Sequence, residues 1–352
     1  MTQERTSPER RILIDGAEIP PELDADVLEV SVCQYAEGGD RFEIVVGALD
    51  PADQQLRWID SVHARPGNQI TVELGYAGQL DRVMVGEITA LRVAYSNEQA
   101  ARLHIQGFDR LHRLRRGRRT RAYVQVKDSQ IAEQIAAALG LSADVTDSVI
   151  VHPYVLQNNL SDIDFLMQRA KRIRYEVVVT DRTLVFRPAA NDRAEARTLE
   201  YMRDLKWFDV RLSTARQVSE LAVRGWNPAS KEAILGVART GVETTLMKGT
   251  ASGARIAEDA FGAAADATVD LPVESQAEAD QIAQALFNDR TLELVAGVGE
   301  AVGDPTIRAG STVDLRGLGE RFSGLYYVVK AEHRVTPDLG YITRFDARRN
   351  AA

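Results

Sequence analysis

The chain has 352 residues, 45% of them apolar and 27% charged, with a formal charge of -8; that balance excludes wholesale disorder and fibrous classes and suits two or three globular domains. A single cysteine, Cys33, excludes an intrachain disulfide and a cysteine-based zinc cluster, and His63, His104, His112, His152 and His333 lack the i, i+4 pairing of a helical metal site. The charged start "MTQERTSPERR" has no apolar h-region and no run approaches the roughly 20 apolar residues of a membrane span, so synthesis and assembly in the cytoplasm are expected, with no metal and no cofactor.

In chain order, the first block is an antiparallel β unit, assigned to residues 1–110. It contains the alternating strand "EIVVGALDPA" (Glu43 to Ala52) ending in an Asx-Pro turn, then "RPGNQITVEL" with its turn glycine Gly67, then "VGEITALRV" around Gly86, and closes on "GFDR" at Phe108-Asp109. The run Arg110 to Arg121 follows, with seven arginines in twelve residues. Residues 111–204 read as a small α/β domain. "KDSQIAEQIAAALGL" predicts a helix capped at Asp128 or Ser129 and stopped at Gly140, and "LSDIDFLMQRAKRI" one capped by Ser161 and Asp164; "YEVVVTDRTLVFRP" predicts a hairpin turning at Asp181-Arg182.

From residue 205 the β blocks recur. "ELAVRGWNPA" (Glu220 to Ala229) matches the first strand block, "RAGSTVDL" with Gly310 the second, and "SGLYYVVKA" around Gly324 with "RFDAR" at Phe345-Asp346 the third. The order is preserved, which is the mark of an internal duplication. The expected fold is mainly β: two similar antiparallel β-barrels, an α/β domain between them, and a helical insertion at about 238–295 in the second barrel domain, 205–352. Within the insertion, Gly249 to Ala267 is rich in small residues and expected to be its most mobile part. A helix is predicted from Ser275, capped with Glu278 and burying Ile282, Ala285 and Leu286.

Catalytic readings find no support in the motifs. "GVGEAVG" (Gly297 to Gly303) is spaced GxGxxxG and runs into a turn instead of a helix N-terminus, and "GTASG" (Gly249 to Gly253) lacks the serine position of a nucleophile elbow. No enzymatic activity is expected. Trp58, Trp207, Trp226, Tyr326 and Tyr327 read as core or interface aromatics. The arginine run is open to three readings: phosphate contact, solvated face, or ion pairs with carboxylates. Its position at the end of a β unit favours pairing within or between subunits through Arg115, Arg116, Arg118 and Arg119. The acidic chain argues against nucleic acid as a general partner.

Two longer stretches, "GDPTIRAGSTVDLRGLGERFSGLYYVVKAEHRVTPDLGYITRF" (Gly303 to Phe345) and "QNNLSDIDFLMQRAKRIRYEVVV" (Gln157 to Val179, with Asp162 and Phe165), together with "GEITALRVAY", "GFDRLHRL" and "AVRGWNP", carry a resemblance. The chain resembles the late control D proteins of contractile phage tails, whose relatives include the hub part of VgrG spikes and the central baseplate hub of extracellular contractile injection systems. The resemblance implies a structural homotrimer whose six quasi-equivalent barrels join a hexameric inner tube to a trimeric spike, beside other baseplate proteins, in a particle assembled in the bacterial cytoplasm. Because the sequence ends at Ala352, the spike tip and any wall-lysing domain are expected on separate proteins. Two other classes stand beside the hub: a nucleic-acid module using Arg110 to Arg121, and a cell-wall hydrolase component.

Overall fold

The computed structural model describes residues 7–50, 54–96, 100–189, 191–227 and 230–352. The first part of the chain forms β1 (Pro8–Ile14), β2 (Ala17–Glu18), α1 (Pro21–Ala25), β3 (Val27–Tyr35), β4 (Arg41–Gly47), β5 (Gln69–Tyr76), β6 (Gln79–Ala94) and β7 (Arg102–Phe108). The middle contributes α2 (Leu111–Leu114), β8 (Arg119–Val126), α3 (Asp128–Ala138), β9 (Ser142–Val145), β10 (His152–Leu160), α4 (Asp162–Arg172), β11 (Tyr175–Thr180) and β12 (Thr183–Pro188). Next come β13 (Arg197–Glu200), β14 (Leu205–Leu212), β15 (Glu220–Asn227), β16 (Glu232–Arg239), α5 (Gly253–Phe261), β17 (Ala265–Thr268) and α6 (Gln276–Leu292). The last are β18 (Val295–Val302), β19 (Thr312–Arg316), α7 (Gly319–Phe322), β20 (Gly324–Thr336) and β21 (Gly340–Arg349).

Thirteen strands share one sheet. Its first lobe runs β3-β4-β7-β6-β5-β1, with β2 beyond, and its second β14-β18-β21-β20-β19-β13; β3 to β5 have counterparts in the same order, whereas β13 runs parallel to β19 where β1 runs antiparallel to β5, and β2 has no counterpart among the described residues. Two of the irregularities agree as well. The bulge between Val27 and Glu29 against β4 reappears between Leu205 and Trp207 against β18, and that between Ile88 and Ala90 against β7 reappears between Val328 and Lys330 against β21. Bulges re-aim a strand at a defined point, so their coincidence fixes the equivalence residue by residue.

That equivalence corrects three expectations. Neither lobe closes into a barrel: no ladder joins β1 to β3 or β13 to β14 among the described residues, and a single bridge, Tyr201 to Leu205, is the nearest approach in the second lobe. The counterpart of β4 is β18, not the strand at Glu220, which pairs with β16 and β17 in a separate three-stranded sheet. The third block is displaced too, since Gly86 corresponds to Tyr326 and Phe345 to Ile105, not to Gly324 and Phe108. Short alternating strands fit one another at several registers, and only the cross-strand pairing chooses. The second block is matched: Gly67 and Gly310 both take positive φ, 98° and 78°, and each donates its N–H to the strand opposite, to Ile88 and Val328. The Asx-Pro turns at Asp50 and Asn227 reach into residues outside those described.

The extra material of the second lobe lies between β14 and β18, where the first lobe has only the turn 36–40. It starts earlier than 238, and Gly249 to Ala267 holds a helix and a strand in place of a loose loop, because Ser252 caps α5 by accepting from the Arg255 N–H. α6 lies over β15 and β16 with Ile282 and Ala285 buried and Leu286 packed beside them. Ser275 accepts from the Glu278 N–H, while the Glu278 carboxylate takes the Glu274 N–H. In the middle segment α3 starts at Asp128 with Lys127 as its N-cap residue, α4 is capped by Ser161, and β11 and β12 form the hairpin around Asp181-Arg182.

Five clusters make the interior. One fills the first lobe and includes Val335 and Tyr341 from the second; the others occupy the middle segment, the second lobe, the α6 layer and a small junction at Ala36, Met247, Leu292, Leu325 and Tyr327. Among the described residues no helix is long and apolar enough to cross a membrane.

Candidate assembly surface

The two lobes are stitched by backbone. β20 pairs antiparallel with β3, Lys330 opposite Tyr35 through Val335 opposite Val30, and the ladder continues as the Ala36 N–H donates to the Val329 carbonyl. Arg334 and Glu29 add an ion pair across it at 2.8 Å. β20 can do this because only its first part, Gly324 to Tyr327, is used by β19, leaving the same edge open from Val329 onward.

β6 is built in the same way. Gln79 to Glu87 pair with β5, and from Thr89 to Ala94 that edge has no strand beside it among the described residues. The counterpart of β3 is β14, which forms one end of the sheet and, beyond the single Tyr201 bridge to Leu205, pairs among the described residues only with β18. The chain therefore carries one satisfied β20 to β3 junction and the two unsatisfied halves of a second, with exposed Leu91 and Tyr95 on one and exposed Trp207 on the other. Open edges with apolar side chains are pairing templates.

The arginine run divides. Arg110 is buried and ties lobe to middle segment, with its Nε 3.3 Å from Glu87 Oε1, one terminal nitrogen 2.8 Å from Asp181 Oδ1 and the other 2.6 Å from Gln69 Oε1. Arg113 grips the same carboxylate with two donors, at 2.8 and 2.5 Å, and His112 approaches it at 2.8 Å. Burial works to raise the Glu87 pKa, but hydrogen bonds from Arg113 and His112 outweigh it and hold the carboxyl below its usual range. Arg119 and Arg121 reach the buried Asp162 at 3.3 and 3.7 Å. Arg115, Arg116 and Arg118 are exposed, and Arg118 reaches the Asn159 carbonyl at 3.5 Å. Pairing within the chain thus accounts for the flanks of the run, and the turn between them faces solvent.

Of the remaining positions singled out by sequence, Gly86, Asp109, Gln157, Asp162, Phe165, Gly310, Gly324 and Phe345 are buried and Gly67 is exposed. Gln157 is fully buried and donates to Asp162 Oδ1 at 2.9 Å, and Phe165 stacks on Tyr123 with ring centroids 5.8 Å apart. A Cβ on Gly86 would lie 2.6 Å from the Phe108 carbonyl oxygen, and one on Gly324 2.6 Å from the Arg349 guanidinium. Phe345 is core and Phe108 exposed. Asp109 accepts from the Asp40 and Leu111 N–H groups, both at 2.9 Å, fixing the turn 36–40 against the start of α2. Burial and then the Asp40 charge push the Asp109 pKa well up, while burial raises Asp40 itself to about 7 against the opposing Tyr35 N–H and Arg308. The free edges of β6 and β14 were not singled out, and the only sequence signal for them is the length of β6.

A family model described as the Alg8 N-terminal domain matches residues 4–337. No curated protein matches the sequence. Among solved structures, the chain is similar to the 43 kDa tail protein of prophage MuSo2 from Shewanella oneidensis (TM-score 0.73, 12% identity, 97% of this chain and 98% of that one). A tail protein from Neisseria meningitidis MC58 gives TM-score 0.66 at 14% identity, with 97% of both chains covered. An E. coli protein described as a type VI secretion component similar to the T4 tail proteins gp27 and gp5 gives 0.61 at 13% identity, with 97% of this chain and 77% of that one covered. At these identities the likeness establishes a shared fold.

Two outcomes follow from this geometry. Glu87→Ala removes the buried carboxylate that Arg110, Arg113 and His112 share, leaving Arg110 only the carboxylate of the partly exposed Asp181, and should cost about 3 kcal/mol, whereas Arg115→Gln, Arg116→Gln and Arg118→Gln together should stay within about 0.5 kcal/mol; denaturant titration compares them. For Asp40, a folded pKa above the unfolded value means stabilisation complete below the ordinary carboxyl range, shrinking as pH rises and gone above about 7. The thermal midpoint should therefore fall between pH 5 and 7.5 more in the native protein than in Asp40→Asn, and equal slopes would refute the assignment.

Proposed function

Since this chain belongs to the Alg8 N-terminal domain family and has the fold of the tail proteins above, we propose that it is a structural, non-enzymatic hub of a contractile tail or injection particle, working as a homotrimer. The hub joins a hexameric inner tube to a separate spike. It comprises a β domain at about residues 1–110, an α/β domain at 111–204 and a second β domain at 205–352, and it acts inside a larger assembly beside other baseplate proteins.

The observation that carries this reading is the half-used edge system. Applying the lobe equivalence to the internal junction pairs Thr89 to Tyr95 of one copy with β14 of the next. Ala90 then faces Ser213, Leu91 faces Leu212, Val93 faces Val210 and Tyr95 faces Phe208. Such a contact is heterologous, and it closes into a ring only when the rotation per lobe divides a full turn. Three chains of two lobes give six near-equivalent positions, the symmetry a hexameric tube ring needs, and a closed ring also removes both open edges from solvent.

Leu91→Cys with Leu212→Cys tests the register. Directly opposed residues of antiparallel strands sit at disulfide distance, and the native Cys33 is buried. Oxidation should yield covalent trimers, seen by mass under denaturing conditions, while Leu91→Cys with Asp209→Cys should not. A protein that stays monomeric at high concentration and cross-links at neither pair would defeat the hub reading.

A further inference from the structure

The insertion carries an exposed aromatic beside one of the open edges. Phe261 ends α5 with 80% of its surface exposed, and Gly262 follows at φ 86° to turn the chain away. Around it a shallow groove is lined by Leu212, Thr214 and Ala215 from the end of β14 and by Ala257, Phe261 and Gly262 from the insertion. An exposed phenylalanine among small residues gains nothing from water, and this one lies where β14 runs out of strand partners.

The internal junction shows what belongs there. Ala36, the residue after β3, donates its N–H to Val329 and is buried beside Leu325 and Tyr327. Thr214 is the counterpart of Ala36 and Thr89 that of Val329. The same bond between copies brings Thr89 of a neighbour to the mouth of the groove, with its exposed Leu91 opposite Leu212.

We propose that the groove between β14 and α5 is a docking site for a second copy of this chain, occupied by that copy's Thr89 to Leu91, with Phe261 packed over Leu91 and Leu212. This rests on the edge pairing proposed above and adds to it a device that the internal junction lacks, since there the turn 36–40 stands in place of the insertion. The three junctions between chains are thereby made unlike the three within chains. A threefold partner gains three distinct sites on a near-sixfold ring, and open-ended pairing in other registers is disfavoured because only one places Leu91 under Phe261.

The test uses the full-length double-cysteine protein, Leu91→Cys with Leu212→Cys, against the same protein carrying Phe261→Glu, and measures self-association by sedimentation alongside cross-linking. Because Phe261 is exposed, Phe261→Glu should leave the thermal midpoint unchanged. The expected result is a dissociation constant at least tenfold weaker and slower cross-linking, both restored toward the parent by Phe261→Leu. Equal association and cross-linking in the Phe261→Glu protein would overturn the groove while leaving the strand pairing standing. Failure of the parent itself to cross-link would remove the strand pairing and the groove's occupant with it.

Discussion

The structure depends on one ladder of backbone hydrogen bonds, β20 against β3, between strands almost three hundred residues apart in the chain. Without it the sheet would be two separate lobes, each with a raw edge; with it the first lobe's core takes in Val335 and Tyr341 from the second. Backbone pairing is sequence-tolerant, so a duplicated unit can drift far in side chains while its edges still fit.

Side chains then lock the middle segment onto the ladder from both ends. At one end Arg110 shares Glu87 with Arg113 and extends to Asp181 in the β11 to β12 turn. At the other, the Tyr327 hydroxyl donates to Glu176, itself held by Arg187, and Arg174 reaches Asp289 on α6 at 2.7 Å. Buried charges of this kind contribute less to net stability than to orientation, since each partner left alone would be costly. The middle segment thus reads as a bracket that fixes the angle at which the lobes meet. In a ring that angle decides how many copies close it.

The insertion illustrates how a near-symmetric object acquires direction. Two lobes with matching bulges would be interchangeable, and the layer of β15, β16, β17, α5 and α6 is present on only one. Placed at the outlet of β14, it sets the surroundings of that open edge without touching the pairing of β20 with β3. Long insertions are tolerated at such loops because closure entropy grows slowly with length.

The sequence by itself determined the local facts. Alternation located the strands, Ser161, Ser275 and the Asp181-Arg182 turn marked their elements, and the glycine turn before β5 and β19 revealed the duplication at Gly67 and Gly310, since positive φ leaves few other residues. The resemblance in Gln157 to Val179 and Gly303 to Phe345 pointed to the tail-protein fold. What only the tertiary structure decided was register and partner: that β4 answers to β18 and not to Glu220 to Asn227, that four of the seven arginines in the run are spent on Glu87 and Asp162, and that the lobes form one open sheet in which β14 and the second half of β6 are left with a free edge among the described residues. The reason is that strand periodicity is two residues everywhere, so sequence alone leaves many registers alike, and the hydrogen bonds that choose among them join residues far apart in the chain.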